Sequence, residues 1–287
     1  MSAPAPAPAS VRVPSLRLEE VSFRYPRGDV LALDRVSLAI PPGQSLALVG
    51  QNGSGKTTLV RHLNGLLRPD TGRVLLDGEP TTGVSVARLA RSVGLVFQDP
   101  DRQIFAGRVR GEVEFGPRNI GLSGTALRAA VDEALEAVGL AAEARTNPYD
   151  LGPSRRKLLA LASVLAMRSP ILVLDEPTTG QDLRGTDVVR RVIARAIAQG
   201  RTVIAISHDM DFVAETFERV VVLRSGRVVL DGTPASVFAA DAWEALRSTF
   251  LEPPLAAVLG ERLGLVGTPT LDLLVAALAR RGGDGGQ

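Results

Sequence analysis

Residues Gly50 to Thr57 read GQNGSGKT, and this stretch constrains the chain more than any other. It follows a short apolar run, Ser45 to Val49, and opens a segment beginning at Lys56. There Leu59, Leu63 and Leu66 recur at helical spacing until Pro69 and Gly72. A glycine-rich turn between a strand and a helix lets successive backbone N–H groups face the β- and γ-phosphates of a nucleotide. Lys56 adds a point charge, and Thr57 adds a hydroxyl that can ligate Mg2+. Lys56 and Lys157 are the only lysines among 33 basic residues. A lysine therefore stands where phosphate binding needs one, in a chain that otherwise uses arginine.

A second feature completes the chemistry. Four apolar residues, Ile171 to Leu174, end in Asp175 and are followed by Glu176. A buried strand delivering a carboxylate at its tip suits the second Mg2+ contact of a phosphate-loop enzyme, and the next carboxylate can polarise water. Alone, an apolar strand ending in Asp-Glu is as compatible with ordinary strand-end solvation; beside the loop it reads as half of an active site. Gln98 ends the run Val93 to Phe97, and His208 follows the run Val203 to Ile206. Both stand at the C-terminal ends of expected parallel strands, where open α/β sheets place ligands. A lone Gln or His is more often structural. His62, inside the first helix, reads as packed or solvated. Tyr25 is either a ring that stacks on a base or a half-buried strand residue.

The remaining pattern sets the architecture. β-like runs at Leu16 to Phe23, Val36 to Ile40, Ser45 to Val49 and Arg73 to Leu76 surround the first helix. From Asp99 to Pro170 the spacing is helical, with Leu127, Val131, Leu135 and Val138 on one face. Strands at Ile171 to Leu174 and Val203 to Ile206 then alternate with helices at Val188 to Ala198 and Phe212 to Phe217, before paired strands at Val220 to Leu223 and Val228 to Leu230. This predicts an α/β fold with a mainly parallel sheet and a helical insertion. The expected divisions are a disordered Ala/Pro tail over 1–13, an α/β domain carrying the phosphate loop over 14–240 with its helical part at about 99–170, and a helical extension over 241–287.

At 287 residues, with 45% hydrophobic and 22% charged, the chain suits a soluble globular protein. A net charge of +2 offers no basic surplus for nucleic acid. There is no cysteine for disulfides or thiolate metal sites, and no apolar run long enough to span a bilayer. The opening MSAPAPAPAS lacks the basic and apolar regions of a secretory signal, so a cytoplasmic location is expected.

The order of motifs resembles the ATP-binding cassette (ABC) ATPases over about Leu16 to Thr233. That resemblance implies a P-loop NTPase fold with an N-terminal β subdomain, a helical subdomain and a short helical C-terminal region. It makes Tyr25 the adenine-stacking aromatic and Gly50 to Thr58 the Walker A loop, with Asn52, Gly53, Ser54, Gly55, Lys56, Thr57 and Thr58 at the nucleotide. Gln98 becomes the Q-loop glutamine, Leu174 to Pro177 the Walker B end, Asp182 the D-loop aspartate and His208 the switch histidine. It further implies Thr57, Gln98 and Asp175 as Mg2+ ligands, Glu176 as general base or water-orienting group, and His208 at the γ-phosphate of ATP.

A narrower likeness follows Gln98. The stretch Val96 to Leu122, with Gln98-Asp99-Pro100-Asp101-Arg102-Gln103, Phe115-Gly116-Pro117 and Asn119-Ile120-Gly121-Leu122, is similar to ATPase subunits of energy-coupling factor (ECF) importers of cobalt, nickel and vitamins. The resemblance implies a subunit on the cytoplasmic face of the membrane, bound to integral membrane subunits and a second ABC ATPase, touching neither nucleic acid nor the solute. Gln98 to Gly116 would receive the membrane subunit, with Ile104 and Phe105 either anchors or core. The alternatives are the ATPase of another ABC importer class or a non-transport ABC protein. One motif departs from the family. Where L-S-G-G-Q is expected the chain has Leu151-Gly152-Pro153-Ser154-Arg155, so the serine position is Gly152 and Pro153 has no N–H to offer a partner's ATP. A heterodimer with a partner of ordinary signature is therefore expected.

Overall fold

The computed structural model describes residues 12–26 and 28–283. Strands β1 (Leu16–Phe23), β2 (Leu33–Ile40), β4 (Thr71–Leu76) and β5 (Glu79–Pro80) form an antiparallel sheet in the order β2-β1-β4-β5. Strands β3 (Ser45–Val49), β6 (Val93–Val96), β7 (Ile171–Asp175), β8 (Thr202–Ile206), β9 (Arg219–Arg224) and β10 (Arg227–Gly232) form a second sheet in the order β10-β9-β3-β8-β7-β6. All neighbours in it are parallel except the β9–β10 hairpin. The expected mainly parallel sheet is therefore present.

The helices are α1 (Lys56–Leu63), α2 (Val86–Leu89), α3 (Val109–Asn119), α4 (Gly124–Ala137), α5 (Pro153–Leu165), α6 (Leu183–Ala198), α7 (Met210–Thr216), α8 (Pro234–Val237), α9 (Trp243–Arg247), α10 (Leu255–Arg262) and α11 (Leu271–Gly283). Side-chain alternation along the parallel strands explains why helices α3 to α7 cover one face, and α1 with the antiparallel sheet the other. Leu46 and Leu48 of β3, Ile171 and Val173 of β7, and Ile204 and Ile206 of β8 share a core with Leu59 and Leu63 of α1 and with β1, β2 and β4. Their neighbours Ala47, Val49, Leu172, Leu174, Val203 and Ala205 point the other way, into a core built with α3 to α7. Leu246, Leu251 and Ala257 join that second core, so the chain beyond residue 240 packs against the main body.

Several boundaries move from the sequence reading. β2 starts at Leu33 rather than Val36, because Leu33 pairs with Phe23 across a bulged register in which Glu20 and Arg35 take positive φ. α1 stops at Leu63, since Gly65 turns left-handed at φ 75°, and Leu66 lies beyond the helix. α6 begins five residues before the expected Val188, at the cap supplied by Asp182. Of the expected Ala/Pro tail, residues 1–11 lie outside the described residues; Arg12 pairs with Asp77 at 2.7 Å.

Candidate active site

β3 ends at Val49, and the chain then turns through Gly50, Gly53 and Gly55, with φ of 147°, 81° and 105°, into α1. These turns demand glycine. A Cβ on Gly50 would lie 2.3 Å from Leu223 O, and one on Gly55 would lie 2.5 Å from Ala32 O. No side chain caps α1, so its first backbone N–H groups remain available to an anion. Lys56 lies buried within the loop and donates to Gly50 O at 2.6 Å and Gln51 O at 2.9 Å. Burial pushes its ammonium below the usual lysine range, and Glu176 and Asp175 partly offset that. Ser54 Oγ is buried without a partner.

Across the loop, Thr57 Oγ1 donates to Asp175 Oδ2 at 3.1 Å. Asp175 is the last residue of β7 and pairs in register with Ile206 of β8. Burial, with the neighbouring Glu176 carboxylate, raises its carboxyl above the usual value although the Thr57 hydroxyl opposes this.

Glu176 is 8% exposed and holds φ 53°, a left-handed conformation that costs a non-glycine residue on the order of 1–3 kcal/mol. Its N–H donates to Ile206 O at 3.1 Å, which ties the strained residue to the end of β8. Glu176 Oε2 accepts from Thr179 Oγ1 at 3.0 Å and meets His208 Nδ1 at 2.8 Å. A carboxylate only accepts, so the proton of that pair resides on Nδ1.

A cavity of about 470 Å³ opens over these groups. Tyr25, Asn52, Gly53, Gly55, Lys56, Thr57, Thr58, Gln98, Asp175 and Glu176 all line it. The Tyr25 hydroxyl lies 3.1 Å from Thr58 Oγ1, and its ring packs edge-on against Phe23. Gly50 and Ser54 form the loop behind the cavity wall, and His208 reaches the site through Glu176. Val30, Leu31, Ala32 and Ile206 supply an apolar wall that sequence reading missed, since a short aliphatic run carries no chemical signal. A second cavity of about 530 Å³, between α4 and α6, is mainly aliphatic and borders Arg201, pushed down to about 10 by burial. Its lining offers none of the loop chemistry.

Other expected residues lie outside this cavity. Asp182 caps α6, its Oδ1 accepting from Gly185 N–H at 2.8 Å. Leu151 is buried, Gly152 is the N-cap of α5, and Pro153 is its first residue. Ser154 Oγ donates to Gln181 Oε1 at 2.5 Å, and Arg155 pairs with Glu143. Both side chains are thus committed within the chain. His62 is buried, its Nδ1 2.8 Å from Thr58 O, and serves packing.

Residues 33–179 match the ABC transporter family. The chain is 44% identical to the energy-coupling factor transporter ATP-binding protein EcfA1 of Symbiobacterium thermophilum, over 93% of this chain and 97% of that protein. It is also 44% identical to the cobalt import ATP-binding protein CbiO of Rhodobacter capsulatus, over 84% of this chain and 86% of that one. Among solved structures, cbiO1 of Clostridium perfringens, described as part of the ABC transporter complex cbiONQ, superposes with a TM-score of 0.71 at 33% identity, covering 87% of this chain and 98% of that one. A putative ABC transporter ATP-binding protein of Methanosarcina acetivorans, 42% identical, is longer, and this chain spans 44% of its length. The matched segment contains the phosphate loop, Gln98 and the Asp175–Glu176 strand end, and the chain belongs to the ABC transporter ATPase family.

Proposed function

We propose that this chain binds and hydrolyses ATP to energise an importer of the ECF type, carrying a vitamin or a transition-metal ion through its membrane subunits. The observation that carries the reading is the convergence of Lys56, Thr57, Asp175 and Glu176 on one cavity at the ends of β3 and β7. The ECF and cobalt relatives support the choice of importer class.

The loop N–H groups and Lys56 bind the phosphates, and Tyr25 stacks on the base. Thr57, Asp175 and the Gln98 amide present hard oxygen atoms, and the Asp175 carboxyl is disfavoured as an anion by burial, a situation a divalent cation relieves. These residues would hold Mg2+, which when bound neutralises charge on the β- and γ-phosphates. Glu176 orients the attacking water and receives its proton, which requires Oε2 to exchange its bond from His208 while the Thr179 hydroxyl keeps holding it. His208 then turns to the γ-phosphate.

No helix among the described residues is long and apolar enough to cross a membrane. We assign the attachment to membrane subunits at the cytoplasmic face, through the segment from Gln98 to Gly116. Ile104 is 3% exposed and belongs to the core, whereas Phe105 and Phe115 are 59% and 49% exposed and stack edge-on at 4.6 Å. The aromatic pair is the anchor. Gly152 and Pro153 leave the partner's nucleotide short of a hydroxyl and an N–H, and Ser154 and Arg155 are engaged elsewhere. A homodimer would carry that defect twice, which supports pairing with a different ATPase.

The assignment is tested by measuring ATP binding and turnover of two variants in the transporter complex that the chain co-purifies with. Lys56→Ala should lose tight ATP binding, because it removes contacts made in the ground state. Glu176→Gln should bind ATP normally and slow turnover by about a hundredfold or more, since it removes a group needed only in the transition state. Turnover of Glu176→Gln at the wild-type rate would overturn the catalytic assignment.

A further inference from the structure

Of the two lysines in the chain, Lys56 is absorbed by the phosphate loop and Lys157 is not. Lys157 lies on α5, two residues beyond the altered signature, and points at the segment that follows β7. Its Nζ donates to Thr179 O at 2.6 Å and to Glu176 O at 3.3 Å. The ammonium therefore spans the turn that begins with Glu176. Earlier on the same helix, Ser154 and Gln181 bond reciprocally: Ser154 Oγ donates to Gln181 Oε1 at 2.5 Å, and Gln181 Nε2 donates to Ser154 O at 3.2 Å. The first two turns of α5 thus grip the chain at Glu176, Thr179 and Gln181.

The grip matters because of what it holds. Glu176 keeps a left-handed backbone that a non-glycine residue abandons unless its surroundings fix it. Its N–H is fixed to Ile206 O on one side, and its carbonyl is fixed by Lys157 on the other. Thr179, the second residue that Lys157 holds, donates its own hydroxyl to Glu176 Oε2. One ammonium accordingly restrains both the main chain of Glu176 and the hydroxyl that aims its carboxylate. An aliphatic side chain at 157 would leave two carbonyls unsatisfied and the turn free to relax.

We propose that Lys157 is a positioning residue for hydrolysis, holding the Glu176–Thr179 turn so that the Glu176 carboxylate meets the attacking water. In this chain the start of α5 serves its own Glu176, through Lys157 and Ser154, in place of presenting Ser154 to a partner's phosphate. The proposal rests on the reading of Glu176 as the group that orients or deprotonates water.

The test compares Lys157→Met, Lys157→Gln and Glu176→Gln with the unaltered full-length chain, each in the transporter complex it co-purifies with. ATP affinity, kcat, KM and Tm are read for each. Lys157→Met should lower kcat about tenfold to a hundredfold, the loss expected from a misplaced catalytic group, with ATP affinity within about threefold and Tm close to wild type. Lys157→Gln, whose amide still offers two N–H donors, should fall between Met and wild type. It also supplies the reading if the Met variant fails to fold. The double variant of Lys157→Met with Glu176→Gln should be no slower than Glu176→Gln alone, because both act through one carboxylate. Unchanged kcat in Lys157→Met beside a stalled Glu176→Gln would overturn this proposal and spare the site assignment. Parallel losses of kcat, affinity and Tm, or additive losses in the double variant, would equally overturn it. Wild-type turnover by Glu176→Gln would remove the underlying reading.

Discussion

His208 Nδ1 lies 2.8 Å from Glu176 Oε2, so the two residues assigned to hydrolysis are bonded to each other across the ends of β8 and β7. His208 is 63% exposed on its side chain, whereas Glu176 is buried. With Nδ1–H committed to Glu176, a neutral ring offers a phosphate only the lone pair of Nε2. Contact with a phosphate oxygen therefore requires that the ring turn or gain a proton.

Replacing that residue gives the first prediction. His208→Ala should lower kcat by about a hundredfold, as removal of a transition-state hydrogen-bond donor does, with little change in ATP affinity. Single-turnover hydrolysis together with equilibrium ATP binding distinguishes this from a binding defect. A kcat within threefold of wild type would overturn the assignment of His208 to the γ-phosphate.

Asp175→Asn should make the nucleotide-free protein more heat-stable while destroying Mg2+-dependent hydrolysis. The folded carboxyl lies above its usual 3.8, chiefly through burial, so its stabilising contribution is complete only below the unfolded value and is lost as pH rises through the folded one. At pH 7 the ionised Asp175 opposes folding, and the amide removes that opposition while still accepting from Thr57. The gain should appear as a higher Tm of the variant at pH 7. The gap between variant and wild type should narrow as pH falls through the raised folded value, where the wild-type carboxyl takes up its proton. A lower Tm for the variant at pH 7 would contradict the argument.

The exposed Phe105–Phe115 pair yields a third expectation. Phe105→Glu or Phe115→Glu should detach the chain from its membrane subunits, seen as loss of co-purification, and leave ATP binding and Tm near wild type. Ile104→Glu should instead give unfolded or insoluble protein, because it places a charge in the core. Retained assembly by both phenylalanine variants would move the docking surface elsewhere.

Asymmetry between two ATP sites is the fourth. Glu176→Gln in this chain should abolish most hydrolysis, whereas the equivalent change in the partner ATPase should matter less, since the partner's nucleotide faces Gly152 and Pro153. ATPase and transport rates of the two single variants decide the matter. Equal losses, or brisk hydrolysis by this chain purified alone, would refute the asymmetric arrangement.

Much of the site was legible because its chemistry is written in contiguous residues. GQNGSGKT needs only its own backbone and α1 to form a phosphate cradle, and Asp175–Glu176 needs only the apolar strand before it. Features that depend on distant neighbours were not legible. Ile104 and Phe105 are adjacent and apolar, and only the three-dimensional fold decides that one joins the core and the other is exposed. The start of β2 was hidden because Asp34 and Arg35 interrupt the alternation, while the bulge that accommodates them belongs to the pairing with β1. Lys157 stood out as a rare lysine, yet its partners are main-chain carbonyls 19 and 22 residues away, and a carbonyl has no signature in a sequence.

The alternation of β3, β7 and β8 between the two cores bears on how the protein comes apart. Each strand that ends at the nucleotide is nailed on both faces, so neither layer can melt and leave the loop suspended on the other. Heat or denaturant should abolish ATP binding and sheet structure in one cooperative transition, with no surviving fragment of the cassette that still recognises its nucleotide.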